Sequence, residues 1–260
     1  MSTLTERSNR VAAAIKLHRH SGRTRAARFL AEGPNLVGAA LRRGVVSEVF
    51  ATESAAARFA DLLVGAEVQL VTERAAKALS DTVTPVGLVA VCSVDDTSLG
   101  DILDGAATLV AVPVGVSEPG NAGTLIRVAD AMGADAVVFA GHSVDPYNGK
   151  CLRASAGSIF SIPVVSDPDA VGVVSRLEDA GLQVLATVLD GEISLDDAEL
   201  VAPTAWLFGP EAHGLPPEVA ACATTGVRIP MEGDAESLNV ASAAAICLYE
   251  SSRAQRRARV

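Results

Sequence analysis

The sequence predicts an α/β protein of two domains, and three observations predict it. Short apolar stretches alternate with helical ones along the whole chain, and in the second half the apolar stretches become longer and almost continuous. The apolar residues are aliphatic, with only 6 Phe, 2 Tyr and 1 Trp among 260 residues. Strands that are apolar throughout belong to a parallel sheet covered on both faces. A chain of this length can form one large domain or two modest ones, each with its own core.

In order along the chain, "RVAAAIKLHRH" reads as a short helix leading to the basic segment "SGRTRAARF". "FLAEGPNLVGAALRRG" gives a strand end, a turn at Gly33-Pro34 and a helix with Leu36, Ala40 and Leu41 on one face. "SEVFAT" is a strand, "SAAARFADLLVG" a helix, "EVQLVT" a strand, "ERAAKALSD" a helix and "GLVAVCSV" a strand. These close a first domain over residues 1–95, and "DDTSLGDILDG" opens a connector over 96–107. In the second domain, 108–260, the strands are "ATLVAVPVGV", "AVVFAG", "SIPVV", "LQVLATVL", "AWLFG" and "GVRIP". Its helices are "AGTLIRVADAMG", "CLRASAGS", "PDAVGVVSRLEDAG", "PPEVAAC" and a last helix from Asn239. Ligands of open α/β sheets gather beyond the carboxyl ends of strands, so the loops after Val116, Val188, Phe208 and Pro230 take priority.

Net charge is −10, which argues against a surface that binds nucleic acid indiscriminately. The charge is unevenly placed. Residues 1–43 hold nine Lys/Arg and two acids, a balance of +7, which leaves −17 for the rest. Arg253, Arg256, Arg257 and Arg259 crowd the other end. Both basic ends read either as solvated helix faces or as polyanion-binding arms on an acidic body. The charges scattered through "MSTLTERSNRVAAAIKLHRH" leave no apolar signal core, and no stretch reads as a membrane span, so a cytoplasmic protein is expected. Cys92, Cys151, Cys222 and Cys247 form no C-x-x-C pair, and His18, His20, His142 and His213 lack ligand spacing. Four separate thiols and no metal site are expected.

Three loops carry the chemistry. Neither G-x-G-x-x-G nor a P-loop follows any strand of the second domain, so conventional nicotinamide and nucleoside-triphosphate sites are disfavoured. In "EPGNAGTLIRVADAMG", Pro119-Gly120-Asn121 is a turn, and Asn121 is expected to cap a helix beginning around Ala122. Arg127 then falls among Leu125, Ile126, Val128 and Ala129, either reaching solvent, pairing with Asp130, or serving a site. "IPMEGDAESLNVASAAAICLYESSR" sets an acidic loop before a stretch, 239–249, that carries no charge and reads as a helix buried on every side.

Together these loops resemble the signature motifs of the SpoU (TrmH-type) family of S-adenosylmethionine-dependent RNA ribose methyltransferases, in the SPOUT superfamily. Asn121, Gly123 and Arg127 match the first motif, Gly209, Glu211 and Gly214-Leu215 the second, and "IPM…ESLNVASAAAICLYE" the third. "SAGSIFSIPVV" is similar to the family as well. The sequence departs from the pattern at Ala212 and His213, where the family often has a Gly and a small or basic residue.

The resemblance implies a parallel-sheet domain with a deep trefoil knot, preceded by a smaller α/β substrate-binding domain like ribosomal protein L30e. It implies that "IPMEGDAESLN" is the threaded loop and walls a pocket for S-adenosylmethionine. Thr187, Leu207, Phe208, Gly209, Ile229, Met231, Leu238 and Asn239 are the implied cofactor residues. Arg127, Asn121, Glu211, Ser237 and Asn239 are the implied catalytic set, with Arg127 stabilising a 2′-oxyanion rather than acting as a base. Arg23, Arg25 and Arg28, with Arg127, are the candidate RNA contacts. The expected partners are RNA, ribosomal rather than transfer, and a second copy of the chain, with Ala241, Ala243, Ala244 and Ala245 permitting close approach at their crossing. Two rivals remain open at this point. A base-methylating member of the superfamily would place an acidic base instead of Arg127, and an RNA-binding protein without turnover need not bind the sulfonium donor.

Overall fold

The computed structural model describes residues 3–210 and 213–259, and these divide into two compact units. Up to residue 95 the elements are α1 (Asn9–Ile15), α2 (His20–Ala26), β1 (Arg28–Glu32), α3 (Pro34–Arg43), β2 (Val46–Ala51), α4 (Glu53–Arg58), β3 (Val68–Leu70), α5 (Glu73–Leu79) and β4 (Leu88–Ser93). The remainder supplies α6 (Leu99–Asp104), β5 (Leu109–Pro113), α7 (Pro119–Met132), β6 (Ala136–Ala140), α8 (Gly149–Ser155), β7 (Val164–Asp167), α9 (Ala170–Asp179), β8 (Gln183–Thr187), β9 (Ile193–Ser194), β10 (Thr204–Phe208), α10 (Pro217–Ala220), β11 (Thr225–Arg228) and α11 (Val240–Ala258).

The first unit is built on a four-stranded sheet in the order β1-β4-β2-β3. β4 lies antiparallel to both neighbours, while β2 and β3 are parallel. α3 follows the predicted pattern, starting with Pro34 at its first position and ending at Gly44 in the left-handed region, φ 77°. Residues 147–160, which the alternation along the chain assigns to the second half, belong to this unit. The reason is apolar: α8 packs on β1, and Tyr147 lies 4.7 Å from Phe29, ring centre to ring centre.

The second unit has a seven-stranded sheet, β7-β6-β5-β10-β8-β11-β9, with every pairing parallel. β5, β6 and β10 are buried along their whole length, as continuous apolar runs require. Alternation decides which helix each side chain meets. Ala205 and Leu207 of β10 join Val173, Val174, Leu177 and Val219 of α9 and α10 in one core. Trp206 points the other way, where its Nε1 donates to Ser251 Oγ of α11 at 2.8 Å. The connector expected at 96–107 instead holds α6, whose capping box (Ser98, Asp101) starts a helix that buries Leu99 and Ile102 in the same core.

α11 corrects a second expectation. It packs on α7, β5 and β10, but it is not buried on every side. Ala241, Ala244, Cys247 and Leu248 are buried within the chain, whereas Ile246 is 37% and Tyr249 47% exposed. Ser242 is exposed too, so an uncharged stripe at 242, 246 and 249 faces outward at helical spacing. Among the described residues no helix is long and apolar enough to cross a membrane.

Candidate active site

The carboxyl ends of β8, β10 and β11 enclose a cleft of about 410 Å³, within the range of small-molecule sites. Each wall comes from the loop that follows a strand. β8 leads into Thr187, Val188, Leu189 and Asp190; β10 leads into Gly209, Pro210 and, further on, His213 to Leu215; β11 leads into Ile229 and Met231. Ser237, Leu238, Val240 and Ala243 complete it from the start of the last helix. Two close backbone approaches shape these loops. A Cβ on Gly209 would lie 2.5 Å from the carbonyl carbon of Gly214, and one on Gly191 would collide with the backbone of Val227 and Arg228. Arg228 Nη1 donates to Gly191 O at 2.9 Å and ties the same loop to β11.

Of the expected cofactor residues, Thr187, Gly209, Ile229, Met231 and Leu238 line the cleft. Leu207 and Phe208 do not, because both side chains are fully buried in β10. Leu207 contributes through its carbonyl, which accepts from Thr187 Oγ1 at 2.9 Å and fixes the rim of β8. Asn239 lies outside the lining and caps the neighbouring helix. Leu189, Asp190 and Val240 were not singled out from sequence, although the strand-end rule points to the loop after Val188, and Leu215 and Ala243 were expected in a motif and a helix crossing rather than in the cofactor set. Asp190 supplies a carboxylate, His213 lines the same space, and no Lys or Arg is among the described lining residues.

On the neighbouring helix the structure moves the start of α7. Pro119, not Ala122, opens it, with the Glu118 carboxylate accepting from Gly120 N at 3.1 Å. Proline is pre-set for the first helical position, and an acidic cap suits the positive end of the helix dipole. Asn121 is thereby released from capping. Its Oδ1 accepts from Asn239 Nδ2 at 3.0 Å, while Asn239 Oδ1 caps α11 by accepting from Ala241 N at 3.0 Å and Ser242 N at 3.4 Å. One amide thus holds the end of the cleft-walling loop, the last helix and the first motif together. Replacing Asn239 with alanine is expected to lower stability by about 1 kcal/mol through the missing cap, read by denaturant unfolding, and to lower activity by more than that change explains.

Arg127 lies outside the cleft. It is exposed, and it makes no hydrogen bond or ion pair among the described residues, Asp130 included. It shares an outward stripe of α7 with Thr124 and Ala131, and α7 packs side by side with α11. Ser237 is exposed and lines the cleft. Glu211 and the neighbouring Ala212 fall outside the described residues.

In the first unit, Arg23 is buried, and its Nη1 donates to Leu17 O at 3.0 Å and His18 O at 2.9 Å. That guanidinium satisfies backbone carbonyls and is not presented to a phosphate, which corrects the RNA role expected of it. Arg25 and Arg28 are exposed, as are Lys16 and Arg19. Arg25→Glu with Arg28→Glu is expected to flatten the salt dependence of RNA binding, by roughly 0.7–0.9 in log–log slope for each phosphate no longer neutralised. Arg23→Ala is expected instead to lower folding stability by about 1–3 kcal/mol, because the buried Leu17 carbonyl and the part-buried His18 carbonyl lose their donor. Burial pushes the Cys92 thiol up to about 12 and raises that of Cys247, so neither serves as a thiolate nucleophile.

A parallel α/β unit with a cofactor-sized cleft at its strand ends, joined to a unit with exposed basic helices, is the class of a cofactor-dependent enzyme that handles a polyanion. Residues 108–249 match the SpoU rRNA Methylase family, and residues 8–90 match the MRM3-like substrate binding domain. The chain belongs to the SpoU rRNA methylase family. It is 36% identical over 235 residues to the 23S rRNA (guanosine(2553)-2′-O)-methyltransferase RlmP of Bacillus subtilis, covering 90% of this chain and 92% of that one. Among solved structures it is similar to the SpoU methyltransferase AviRb of Streptomyces viridochromogenes in complex with the cofactor AdoMet. There the TM-score is 0.85 and identity 31%, over 96% of this chain and 99% of the other. An AdoMet-bound rRNA methyltransferase from Sinorhizobium meliloti gives a TM-score of 0.83 at 30% identity, over 97% of both chains.

Proposed function

We propose that the chain methylates a ribose 2′-hydroxyl of ribosomal RNA, using S-adenosylmethionine. The observation that carries this reading is the Asn239–Asn121 hydrogen bond, which couples a cofactor-sized cleft to the helix bearing Arg127. The similarity to RlmP of Bacillus subtilis, a 23S rRNA 2′-O-methyltransferase, supports the reaction and the substrate class.

The residues present fit the donor. Among the described residues, the cleft has apolar walls for a purine and an aliphatic chain, one carboxylate in Asp190, and no Lys or Arg in its lining to repel a sulfonium. When bound, S-adenosylmethionine supplies an electrophilic methyl group on a positively charged sulfur, so the transfer needs no metal. Thr187, Gly209, Ile229, Met231 and Leu238 hold the donor, and Ser237 faces its reactive end. Asn121 and Asn239 orient the nucleotide. The Arg127 guanidinium offers hydrogen-bond donors and no acceptor. It therefore does not abstract the 2′-hydroxyl proton, which passes to water, but stabilises the oxyanion that develops as the methyl–sulfur bond breaks, the methyl–oxygen bond forms and the donor leaves as a neutral thioether. Glu211 holds the amide and guanidinium partners in place.

Residues 1–95 are the RNA-binding, L30e-like part, with Arg25 and Arg28 as contacts, and 108–260 the methyl-transfer part. The segment 229–239 is a threaded loop that makes the second unit a deep trefoil knot. The outward stripes of α7 and α11 support a homodimer in which Arg127 serves RNA held partly by the partner, in the cytoplasm. Purified protein incubated with methyl-labelled donor and fractionated total RNA tests the substrate class. Label is expected in ribosomal RNA, and label confined to transfer RNA would contradict it.

A further inference from the structure

We propose that the basic end of α11 and the cavity beside it form a second site for RNA phosphates, at the opposite end of the second unit from the methyl-transfer cleft. The inference rests on the RNA-methylating reading above. The cavity, of about 280 Å³, is lined by Thr108, Met132, Ser252, Gln255, Arg256 and Arg259 among others. Thr108 immediately precedes β5, so this cavity opens at the amino ends of the strands, whereas the cleft opens at their carboxyl ends. α11 connects the two: Ala243 lines the cleft and Arg259 the cavity, and sixteen residues of helix span about 24 Å.

Among the described residues, three of the four arginines at this end have no carboxylate partner. Arg253 is neutralised by Glu250 at 2.5 Å. Among the described residues, Arg256 Nη1 donates only to the Ser252 hydroxyl at 2.7 Å, and Arg259 Nη2 reaches only the Thr108 hydroxyl at 3.4 Å. No carboxylate pairs with Arg256, Arg257 or Arg259 among the described residues, and all three are exposed. Asp135 is committed elsewhere, accepting from the backbone of Thr108 at 2.6 Å and Leu109 at 2.9 Å.

A helix carboxyl end carries roughly half a negative charge, so the dipole balances only part of three guanidiniums. Three like charges within one turn repel one another until a polyanion sits on them. The Thr108 hydroxyl is directed at Asp135 Oδ2 at 3.2 Å, so the guanidinium forks, with the Ser252 hydroxyl beside them, are what match phosphate oxygens, and contacts of this kind set the register of a nucleic acid without reading its sequence. Gln255 steadies the floor, with Nε2 donating to Thr108 O at 2.9 Å and to Ala202 O at 3.3 Å. A site this far from the cleft is reached only by extended, structured RNA, so it anchors a long substrate while its target nucleotide is presented elsewhere.

The test is filter binding of an in vitro 23S rRNA transcript across a salt series. It compares the wild type with Arg256→Gln/Arg257→Gln/Arg259→Gln and with the matching triple Lys variant. The Gln variant is expected to lose about two units of log–log salt slope and to bind about tenfold more weakly at moderate salt. The Lys variant should keep the wild-type slope. Donor affinity, measured by calorimetry, should match the wild type in both, which also shows that the variants are folded. A Gln variant with wild-type slope and affinity overturns the site. So does a change in mass by light scattering at constant slope, which would make the patch a protein contact. Binding is read without turnover, so a wild type that methylates nothing, with the Gln variant still losing slope, overturns the functional reading and supports the site.

Discussion

Replacing Arg127 with alanine is expected to lower turnover by about 100- to 1000-fold, the usual effect of removing one donor to a developing oxyanion. Donor affinity should stay within a few fold of the wild type. The split follows from where the side chain sits. Arg127 is exposed on α7 and lines no part of the cleft, so removing it leaves the donor walls intact. Of the alternative readings of an arginine in an apolar helix, the Asp130 pair does not form among the described residues, whereas an arginine that simply reaches solvent would be exposed just as Arg127 is. Steady-state kinetics with calorimetric donor titration separates the cases. Donor binding that disappears together with activity would show that Arg127 supports the fold of the site rather than its chemistry.

Placing a charge in the outward stripe of α11 is expected to have an effect of similar size. If the proposed dimer forms through this stripe, Ile246→Arg should raise its dissociation constant about a hundredfold or more, the effect expected when an apolar side chain at an interface centre is replaced by a charge. Activity should fall with it, because Arg127 on the adjacent stripe would no longer face a partner. Ala244, which the sequence suggested as the crossing point, is the wrong probe: it is fully buried within its own chain, and a charge there would damage the fold. Light scattering over a dilution series, with activity measured on the same samples, decides the matter. A wild type that stays monomeric and active at nanomolar concentration would remove both the dimer and the shared site.

Much of this was legible in the sequence because the second unit obeys simple rules. Apolar runs such as "ATLVAVPV" and "AWLF" predicted buried parallel strands, and β5 and β10 are buried throughout. The strand-end rule led to the loops that wall the cleft. What it could not supply was local competition between similar signals. Asn121 and Glu118 both suit a helix start, and Pro119 settled it in favour of Glu118, leaving Asn121 for Asn239. Arg23 and Arg25 are two residues apart in a basic helix, yet one is buried and the other exposed, a phase that charge counting does not carry. The membership of residues 147–160 was equally hidden, since Tyr147 and α8 gain their packing from Phe29 and β1, more than a hundred residues earlier.

The central claim is that the methyl group goes to a ribose oxygen. Alkaline hydrolysis of methyl-labelled RNA tests it most directly, because cleavage at each phosphodiester needs the free 2′-hydroxyl beside it. Ribosomal RNA labelled by the purified protein is expected to release its label in an alkali-resistant dinucleotide. Label recovered only in mononucleotides would place the methyl on a base and contradict the account.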